Sequence, residues 1–246
     1  MNSLRIEERD DRVVATLNRP DKRNAIDAGM VAALHELCAS LEAHPRLLLL
    51  TGGVEGVFAG GADIGQLRDR GRMDALAAIN IGIFDRLRRL PMPTVAAVDG
   101  PALGGGAELA YACDLRICTS RAYFGQPEVR LGIIAGAGAT YRLPALVGEA
   151  LAKELLFTGR RVPAAEALAI RLVNRVVDEP DELLPAAHAL LDEIAVGSAL
   201  AVRLTKLAVD APGAHPAVEL LAQAVLFEDE EKRERMEEFL SRRRPS

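Results

Sequence analysis

The order of apolar and polar residues predicts a chain that alternates strands, glycine-rich corners and helices. Residues 4–20 form two alternating runs with a turn near Asp10 and Asp11, which is typical of a β-hairpin. Residues 24–44 have apolar positions at helical spacing, with Asp27 as a plausible N-cap. The segment "RLLLLTG" is short and fully apolar, so it predicts a strand in the centre of a sheet.

The same pattern continues towards the C-terminus and then changes. Apolar residues between Leu76 and Leu90 recur with a helical period and predict one amphipathic helix. The runs "TVAAVDG" and "LRICTS" predict two further buried strands. From about Gly148 onward helical patterns dominate, with "LVNRVV" as a possible short strand. The first ~145 residues therefore read as α/β and the last ~100 as helical.

Composition narrows the class of protein. A chain of 246 residues, half of them apolar, is long enough for one large domain, or for one domain with a small appendage. No stretch of 18 apolar residues and no signal-like start is present, so we expect no membrane partner and a cytoplasmic location. The net charge of −5 argues against nucleic acid as a partner. Cys38, Cys113 and Cys118 are expected to be reduced thiols without a metal.

Two glycine-rich corners repeat one plan. The segments "LLLLTGGVEGVFAGGAD" and "TVAAVDGPALGGGAE" each run from a buried strand to Gly-Gly-Ala and an acid, with Gly60 and Gly105 leading the triplets. A helix start leaves backbone N–H groups unpaired, and glycine lets a ligand approach them closely. One such corner alone is usually a tight turn. Two side by side can aim two N–H groups at one oxygen, which is an oxyanion hole.

Two carboxylates accompany the second corner. Glu108 is expected in the first turn of the helix after the triple glycine, where the helix dipole favours an ionised acid. Glu128 follows Pro127, and one strand, "LRICTS", separates the two acids, so both are expected on one side of the sheet. Alone, Glu128 would be a surface loop acid. Beside Glu108 and an oxyanion hole, it becomes a candidate acid or base.

Competing chemistries lack their motifs. No Gly-x-Gly-x-x-Gly in register, no phosphate-binding Gly-Lys-Ser/Thr loop and no Gly-x-Ser-x-Gly elbow occur. The four histidines stand away from the glycine corners. A nucleotide enzyme, a Ser-His-Asp hydrolase and a zinc enzyme are therefore poorly supported.

The motifs together resemble the crotonase family, the enoyl-CoA hydratases and isomerases, over nearly the whole chain. The segments that carry the resemblance are "LNRPDKRNAID", "FAGGADI", "GPALGGGAELAYACD", "FGQPEVRLGIIAGAGATYRLP", "FTGRRVPAAEALAIRLVNRVV" and "EEFLSRRRP". The resemblance implies an α/β fold, a crotonase-like spiral of repeated ββα units with a C-terminal helical region. It also implies a core over 1–190, an oligomerisation region over 191–246, and a homotrimer or a dimer of trimers.

The resemblance also implies roles for particular residues. The N–H groups of Ala62 and Gly105 would form the oxyanion hole, and Glu108 and Glu128 would be catalytic. The residues implied to bind the substrate or its coenzyme A are Lys22, Arg23, Ala25, Ala62, Asp63, Ile64 and Gly105. The chain departs from the family at Tyr141, where the hydratases usually have glutamine.

The implied reaction is the reversible syn addition of water to a trans-2-enoyl-CoA, which gives a 3-hydroxyacyl-CoA. The partner is an acyl-CoA thioester, and no metal or redox cofactor is expected, because coenzyme A is part of the substrate. A Δ3,Δ2-enoyl-CoA isomerase, or another acyl-CoA enzyme of the fold, is the first alternative. A non-catalytic scaffold or RNA-binding member of the family is the second.

Overall fold

The strands predicted from the apolar runs are all present. The computed structural model describes residues 3–241, which contain nine strands. They are β1 (Leu4–Glu8), β2 (Arg12–Leu17), β3 (Leu47–Thr51), β4 (Thr94–Val98), β5 (Pro101–Leu103), β6 (Leu115–Thr119), β7 (Tyr123–Gly125), β8 (Arg161–Pro163) and β9 (Arg175–Val177).

Helices fill most of the intervals. They are α1 (Ala28–Ala43), α2 (Ile64–Asp69), α3 (Arg72–Leu76), α4 (Ile79–Arg88), α5 (Gly105–Ala112), α6 (Ala139–Val147), α7 (Glu149–Thr158), α8 (Ala164–Ala169), α9 (Leu183–Ala195), α10 (Ala199–Val209), α11 (Ala217–Glu228) and α12 (Glu230–Ser241). Asp27 caps α1 as expected, because its carboxylate accepts a hydrogen bond from the N–H of Met30 at 2.8 Å.

Two sheets organise the strands. The larger has the order β1-β2-β3-β4-β6-β9, and only the β1–β2 hairpin is antiparallel. The central position predicted for β3 is confirmed, and all five of its residues are buried. The smaller sheet has the order β5-β7-β8. A parallel bridge between Ala59 and Ala102 continues it towards the first glycine corner.

Successive stretches of chain repeat one ββα unit. Strand β4 joins the large sheet, β5 joins the small sheet, and α5 follows. In the next unit β6 joins the large sheet and β7 the small sheet before α6. In the preceding unit β3 joins the large sheet and Ala59 bridges to the small sheet before α2. The expected spiral of ββα units is therefore confirmed. Its consequence is that the strand-to-helix corners of neighbouring units lie side by side.

The core has two parts. One lies between the sheets and the helices α1, α4 and α5, and the other lies between the outer face of the large sheet and α9. Leu183, Leu190 and Leu191 of α9 are buried in the second part. The boundary predicted at 190/191 falls within this helix, and the division into a core and an oligomerisation region stays a prediction.

Three details of the secondary structure differ from expectation. The single helix predicted over 76–90 is two helices, because Ala78 adopts a left-handed φ of +56° and ends the first. This break lets Ile83, Phe84 and Leu87 of α4 enter the core while α3 stays at the surface. Two strands, not one, separate the candidate acids. The helical C-terminal part also contains β8, which was not predicted.

The last two helices carry exposed apolar side chains. They include Leu220, Leu221, Val225, Phe227 and Phe239. Within residues 3–241, no single helix meets the length and hydropathy needed to cross a membrane. The helical segments Pro180–Ala195 and Ala199–Val209 meet these two criteria only when they are counted together, and a bend of 101° separates them.

Candidate active site

One cavity gathers the chemically interesting residues of both glycine corners. Its volume is about 560 Å³, and its lining includes the backbone of Ala62 and Gly105 and the side chains of Glu108 and Glu128. Residues from α2, α3 and α4 form one wall, and residues 133–137 form another. The sequence predicted these four residues as one site, and the fold brings all four to the lining of one cavity.

Two backbone N–H groups lie next to each other in this cavity. A Cβ built on Gly105 would lie 3.4 Å from the nitrogen of Ala62, and one built on Gly61 would lie 3.9 Å from the nitrogen of Gly105. Neither the N–H of Ala62 nor that of Gly105 donates a hydrogen bond to another atom of residues 3–241. Both are therefore available to a single ligand oxygen, as an oxyanion hole requires.

The flanking glycines of the triple are required for different reasons. Gly104 has φ +50° and ψ −126°, which residues with a Cβ rarely adopt. A Cβ on Gly106 would lie 2.2 Å from the carbonyl oxygen of Ala59, so only glycine lets α5 pack against the first corner. Gly105 has neither a positive φ nor a backbone atom that would clash with a side chain. A Cβ at this residue would instead enter the cavity beside Ala62.

Glu108 is held by the backbone of the loop before α6. It lies in the first turn of α5, where it is 4% exposed, and its Oε1 accepts hydrogen bonds from Ala137 N at 2.8 Å and Ala139 N at 3.0 Å. Burial raises the pKa of the carboxyl, and the N–H groups of Ala139, Ala137 and Gly138 oppose that rise. The expected position in the first turn of α5 is confirmed, and the effect of the helix dipole on the carboxyl stays a prediction. The loop N–H donors favour the ionised form of Glu108.

Glu128 begins a 3₁₀ turn, Glu128–Leu131, directly after Pro127. It is 8% exposed, and burial, reinforced by the negative charge of Glu108, raises the pKa of Glu128 to about 7. With its amide nitrogen turned towards Glu128, Gln126 donates to both carboxylate oxygens at 3.1 Å. Gln126 is in turn hydrogen-bonded to the buried Tyr111 hydroxyl. This amide holds the carboxyl in place, and the backbone N–H of Glu128 opposes part of the rise in its pKa.

The N-terminal segment implied to bind coenzyme A is joined to the first corner by backbone hydrogen bonds. The N–H of Gly60 donates to Arg23 O at 2.9 Å, and the N–H of Ile26 donates to Gly61 O at 2.8 Å. The N–H of Asp63 donates back to Ile26 O at 3.0 Å. Residues 23–26 therefore extend the strand-like path that carries Ala62.

Two polar side chains strengthen this junction. Asn24, in the left-handed region at φ +52°, donates its amide to Phe58 O at 3.0 Å. Arg19 pairs with Asp27 at 2.9 Å and lies 3.9 Å from Asp63, and it also donates to Ala25 O. Neither Asn24 nor Arg19 was predicted as a site residue. The tolerance of asparagine for the left-handed region was the signal for the first.

The remaining predicted binding residues do not line the cavity. Lys22 and Arg23 are exposed, Ala25 is half-buried, and Ile64 is 61% exposed. Asp63 caps α2 by accepting from Gln66 N at 3.2 Å. We call these five residues the rim, because Asp63 and Ile64 follow Ala62 and the backbone of residues 23–26 is hydrogen-bonded to residues 60–63. Among the predicted binding residues, only Ala62 and Gly105 line the cavity.

A larger cavity, about 670 Å³, lies between α9, α10 and the start of β4. Its charged groups already have partners: Lys206 pairs with Asp114 at 2.7 Å, and Asp210 pairs with Arg88 at 3.4 Å. The carboxylates of this larger cavity therefore pair with cations, whereas no ion pair within residues 3–241 involves Glu108 or Glu128. Among residues 3–241, no cluster of three or more histidine, cysteine or acidic side chains has the arrangement of a metal site.

Comparison with known proteins identifies the family to which this site belongs. The sequence model described as "Enoyl-CoA hydratase/isomerase" matches residues 9–246, which is nearly the whole chain. The chain belongs to the enoyl-CoA hydratase/isomerase family. The resemblance seen in the sequence motifs is thereby confirmed.

Members of the enoyl-CoA hydratase/isomerase family resemble the chain over most of its length. The "Short-chain-enoyl-CoA hydratase" of Clostridium acetobutylicum is 40% identical over 214 residues, which cover 85% of this chain and 82% of that protein. The "Crotonyl-CoA hydratase" of Syntrophomonas wolfei is 38% identical, covering 97% and 95%. The crystal structure of an enoyl-CoA hydratase from Bacillus anthracis superimposes with a TM-score of 0.92 at 31% identity, covering 99% and 98%.

Proposed function

We propose that the protein is an enoyl-CoA hydratase, a hydro-lyase that adds water reversibly and syn to a trans-2-enoyl-CoA. The observation that carries the proposal is the common cavity of Ala62, Gly105, Glu108 and Glu128. Two uncommitted N–H groups suit a thioester oxygen that gains negative charge, and two carboxyls suit the transfer of two protons. The named hydratases among the relatives support the same reaction.

The two carboxyls have environments suited to different protonation states. Glu108 accepts two loop N–H hydrogen bonds, so it serves as the ionised base. Glu128, whose pKa burial raises to about 7, keeps a proton near neutral pH and serves as the acid. Two neighbouring carboxyls that resist ionising together can divide acid and base roles in this way.

The addition of water transfers one proton to Glu108 and one proton from Glu128. Glu108 removes a proton from water as the water oxygen bonds to C3, and the double-bond electrons move to the thioester oxygen. The N–H groups of Ala62 and Gly105 stabilise that oxygen. When the carbonyl re-forms, Glu128 delivers its proton to C2. After the addition Glu108 carries a proton and Glu128 has lost one, and proton exchange with solvent restores both carboxyls before the next turnover. The addition of water is not a redox reaction, so no redox cofactor is needed.

The rim next to Ala62 is the proposed coenzyme A site. Lys22 and Arg23 are exposed cations on this rim, and the anionic groups of coenzyme A are complementary to them. Ala25, Asp63 and Ile64 belong to the joined backbone path and are proposed to lie along the pantetheine arm. The route from the rim to the cavity interior would then place the thioester at the paired N–H groups.

Enzymatic assay separates hydratase from its alternatives. We expect the full-length protein to remove the conjugated enoyl absorbance of crotonyl-CoA and to produce 3-hydroxybutyryl-CoA. Conversion of a 3-enoyl-CoA to a 2-enoyl-CoA without hydration would instead establish an isomerase. Retention of RNA on a filter without turnover of either thioester would favour the non-catalytic alternative.

The proposal extends to assembly and location. Exposed apolar residues on α11 and α12 support a homotrimer or a dimer of trimers, because large apolar side chains at a surface favour contact with another subunit. Cys38, Cys113 and Cys118 are free and buried, which supports a reducing compartment such as the cytoplasm.

A further inference from the structure

Asn80 is a polar side chain of the cavity that no sequence motif indicated. It is the second residue of α4, it is half-buried, and it lines the cavity. Helix α4 begins directly after the break at Ala78 and packs against α5, the helix that follows the second glycine corner. As a result, Asn80 Nδ2 lies 3.9 Å from the position that a Cβ on Gly105 would occupy.

That position is surrounded by nitrogen donors. Ala62 N lies 3.4 Å from it, and Gly105 N belongs to the same residue. An oxygen that enters this space to accept from the two backbone N–H groups therefore comes within reach of the Asn80 amide. Rotation about the side-chain bonds of Asn80 can bring its NH₂ group to the usual N–H···O distance of about 2.7–3.2 Å from such an oxygen.

Arg70 determines which end of the Asn80 amide faces the hole. Its Nη1 donates to Asn80 Oδ1 at 3.1 Å, and Arg70 also lines the cavity. An asparagine amide has one accepting oxygen and two N–H donors, so engagement of the oxygen leaves the NH₂ group directed to the other side. No ion pair within residues 3–241 joins Arg70 to a carboxylate. The guanidinium of Arg70 is therefore free to hold the amide oxygen of Asn80 by a hydrogen bond.

We propose that Asn80 donates a third hydrogen bond to the thioester oxygen, beside Ala62 and Gly105, and that Arg70 is the positioning residue for its amide. The inference rests on the proposed function, because it assigns a third donor to the same oxyanion hole. A third donor stabilises the enolate-like oxygen more than the ground-state carbonyl. Its removal should therefore lower kcat more than it weakens binding.

Two measurements on four variants test this assignment. The variants are Asn80→Leu, Asn80→Asp, Arg70→Met and the control Arg72→Met, an exposed arginine at the start of α3. The first measurement is kcat and KM with crotonyl-CoA. The second is the infrared C=O stretch of bound butyryl-CoA labelled with ¹³C at the thioester carbonyl, because a lost hydrogen bond moves this stretch to higher frequency.

We expect Asn80→Leu to lower kcat by about 10²-fold, at the lower end for loss of an oxyanion donor, with a smaller change in KM. The stretch should move to higher frequency. Asn80→Asp keeps the size of the side chain but removes the N–H donors, so it should change both readouts in the same direction. Arg70→Met should produce smaller changes of the same sign, and Arg72→Met should match the wild type.

The outcomes separate this inference from the proposed function. Wild-type kcat and an unshifted stretch in Asn80→Leu, or in Asn80→Asp if the leucine variant does not fold, would overturn the third donor. Unchanged readouts in Arg70→Met would overturn the positioning role. Failure of the wild type to hydrate crotonyl-CoA would remove the proposed function, whereas the carbonyl stretch of bound butyryl-CoA would still decide whether Asn80 contacts the oxygen.

Discussion

The backbone of Gly104 lies directly against the carboxyl of Glu128: a Cβ at residue 104 would come within 2.8 Å of Glu128 Oε1. The residue before the oxyanion-hole glycine thus sets the space available to the proposed acid. Gly104 also has a positive φ of +50°. The absence of a side chain at residue 104 therefore allows both the left-handed backbone conformation and the close approach of the Glu128 carboxyl.

Gly104→Ala should lower both stability and activity. Strain at this backbone conformation costs about 1–3 kcal/mol, and displacement of Glu128 should further reduce kcat. Gly148→Ala is the matched control, because Gly148 has φ +83° and nothing within 4 Å of its Cβ position. Thermal unfolding and crotonyl-CoA kinetics should show a stability loss in both variants but a kcat defect only at residue 104. Equal kcat values in the two variants would contradict the coupling to Glu128.

Gly105→Ala and Gly106→Ala should fail in different ways. The new methyl group at residue 105 enters the hole beside Ala62 N, and loss of one oxyanion donor costs roughly 10²–10³ in kcat. The methyl group at residue 106 meets Ala59 O, and such overpacking costs about 1–3 kcal/mol of folding free energy or more. Melting temperatures and kcat measured side by side test the distinction. A Gly105→Ala variant with wild-type kcat would contradict the placement of the thioester oxygen beside Gly105 N.

Glu108→Gln and Glu128→Gln should each lower hydration by about 10²–10⁴-fold while the protein stays folded, because each change removes one proton-transfer group. The exposed Glu149 of α7 offers a control, and Glu149→Gln should leave kcat unchanged. Stopped assays with crotonyl-CoA and a 3-enoyl-CoA measure both activities. Full hydration by Glu108→Gln, together with isomerisation that requires Glu128, would favour the isomerase.

The rate of hydration should be bell-shaped in pH. The competent form has a proton on Glu128 and none on Glu108, so kcat/KM should fall as the pH rises through about 7 and Glu128 ionises. It should also fall at low pH as Glu108 becomes protonated. Since burial raises the folded-state pKa of Glu128 above its ordinary 4.5, its contribution to stability should decrease between about pH 4.5 and 7.

A pH series of kcat/KM and of unfolding free energy measures both effects. Glu128→Gln should remove this stability decrease, because glutamine does not titrate. A wild-type kcat/KM that is flat from pH 6 to 9 would contradict the assignment of Glu128 as the acid.

Light scattering should find the full-length protein as a trimer or hexamer. Leu221 on α11 is 70% exposed, and Leu221→Glu should reduce the mass or weaken the assembly by placing a charge in an apolar contact. Gln223→Glu, on the same helix at an exposed polar position, should leave the mass unchanged. A monodisperse wild-type monomer would contradict the proposed assembly.

Much of the fold followed from patterns that are local in sequence. The apolar run of β3 required burial on both faces, which placed it centrally in a sheet. Asp27 capped α1 because capping uses only neighbouring residues. The motifs of the two corners identified Ala62, Gly105 and Glu108 as one group, since their spacing from the strands resembles that of the family.

The residues that were not predicted depend on contacts between distant parts of the chain. Gln126 has no distinguishing spacing, and only the folded chain places its amide against Glu128 and Tyr111. Asn80 reaches Gly105 because α4 begins after a break at Ala78, where no proline or glycine marks an interruption. Tertiary packing sets the positions of Gln126 and Asn80. Hydrophobic periodicity and turn propensity depend on local sequence, so they do not predict these positions.

The spiral of repeated units has a consequence for how the protein acquires activity during synthesis. Ala62, Glu108 and Glu128 come from three successive units, and Gly106 must pack against Ala59 before the paired N–H groups meet. A nascent chain that ends just before residue 128 therefore contains both N–H donors and Glu108 but lacks the proposed acid. Hydratase activity should appear in one step once the third unit has docked. Fragments that end before this unit should have no activity rather than a reduced rate.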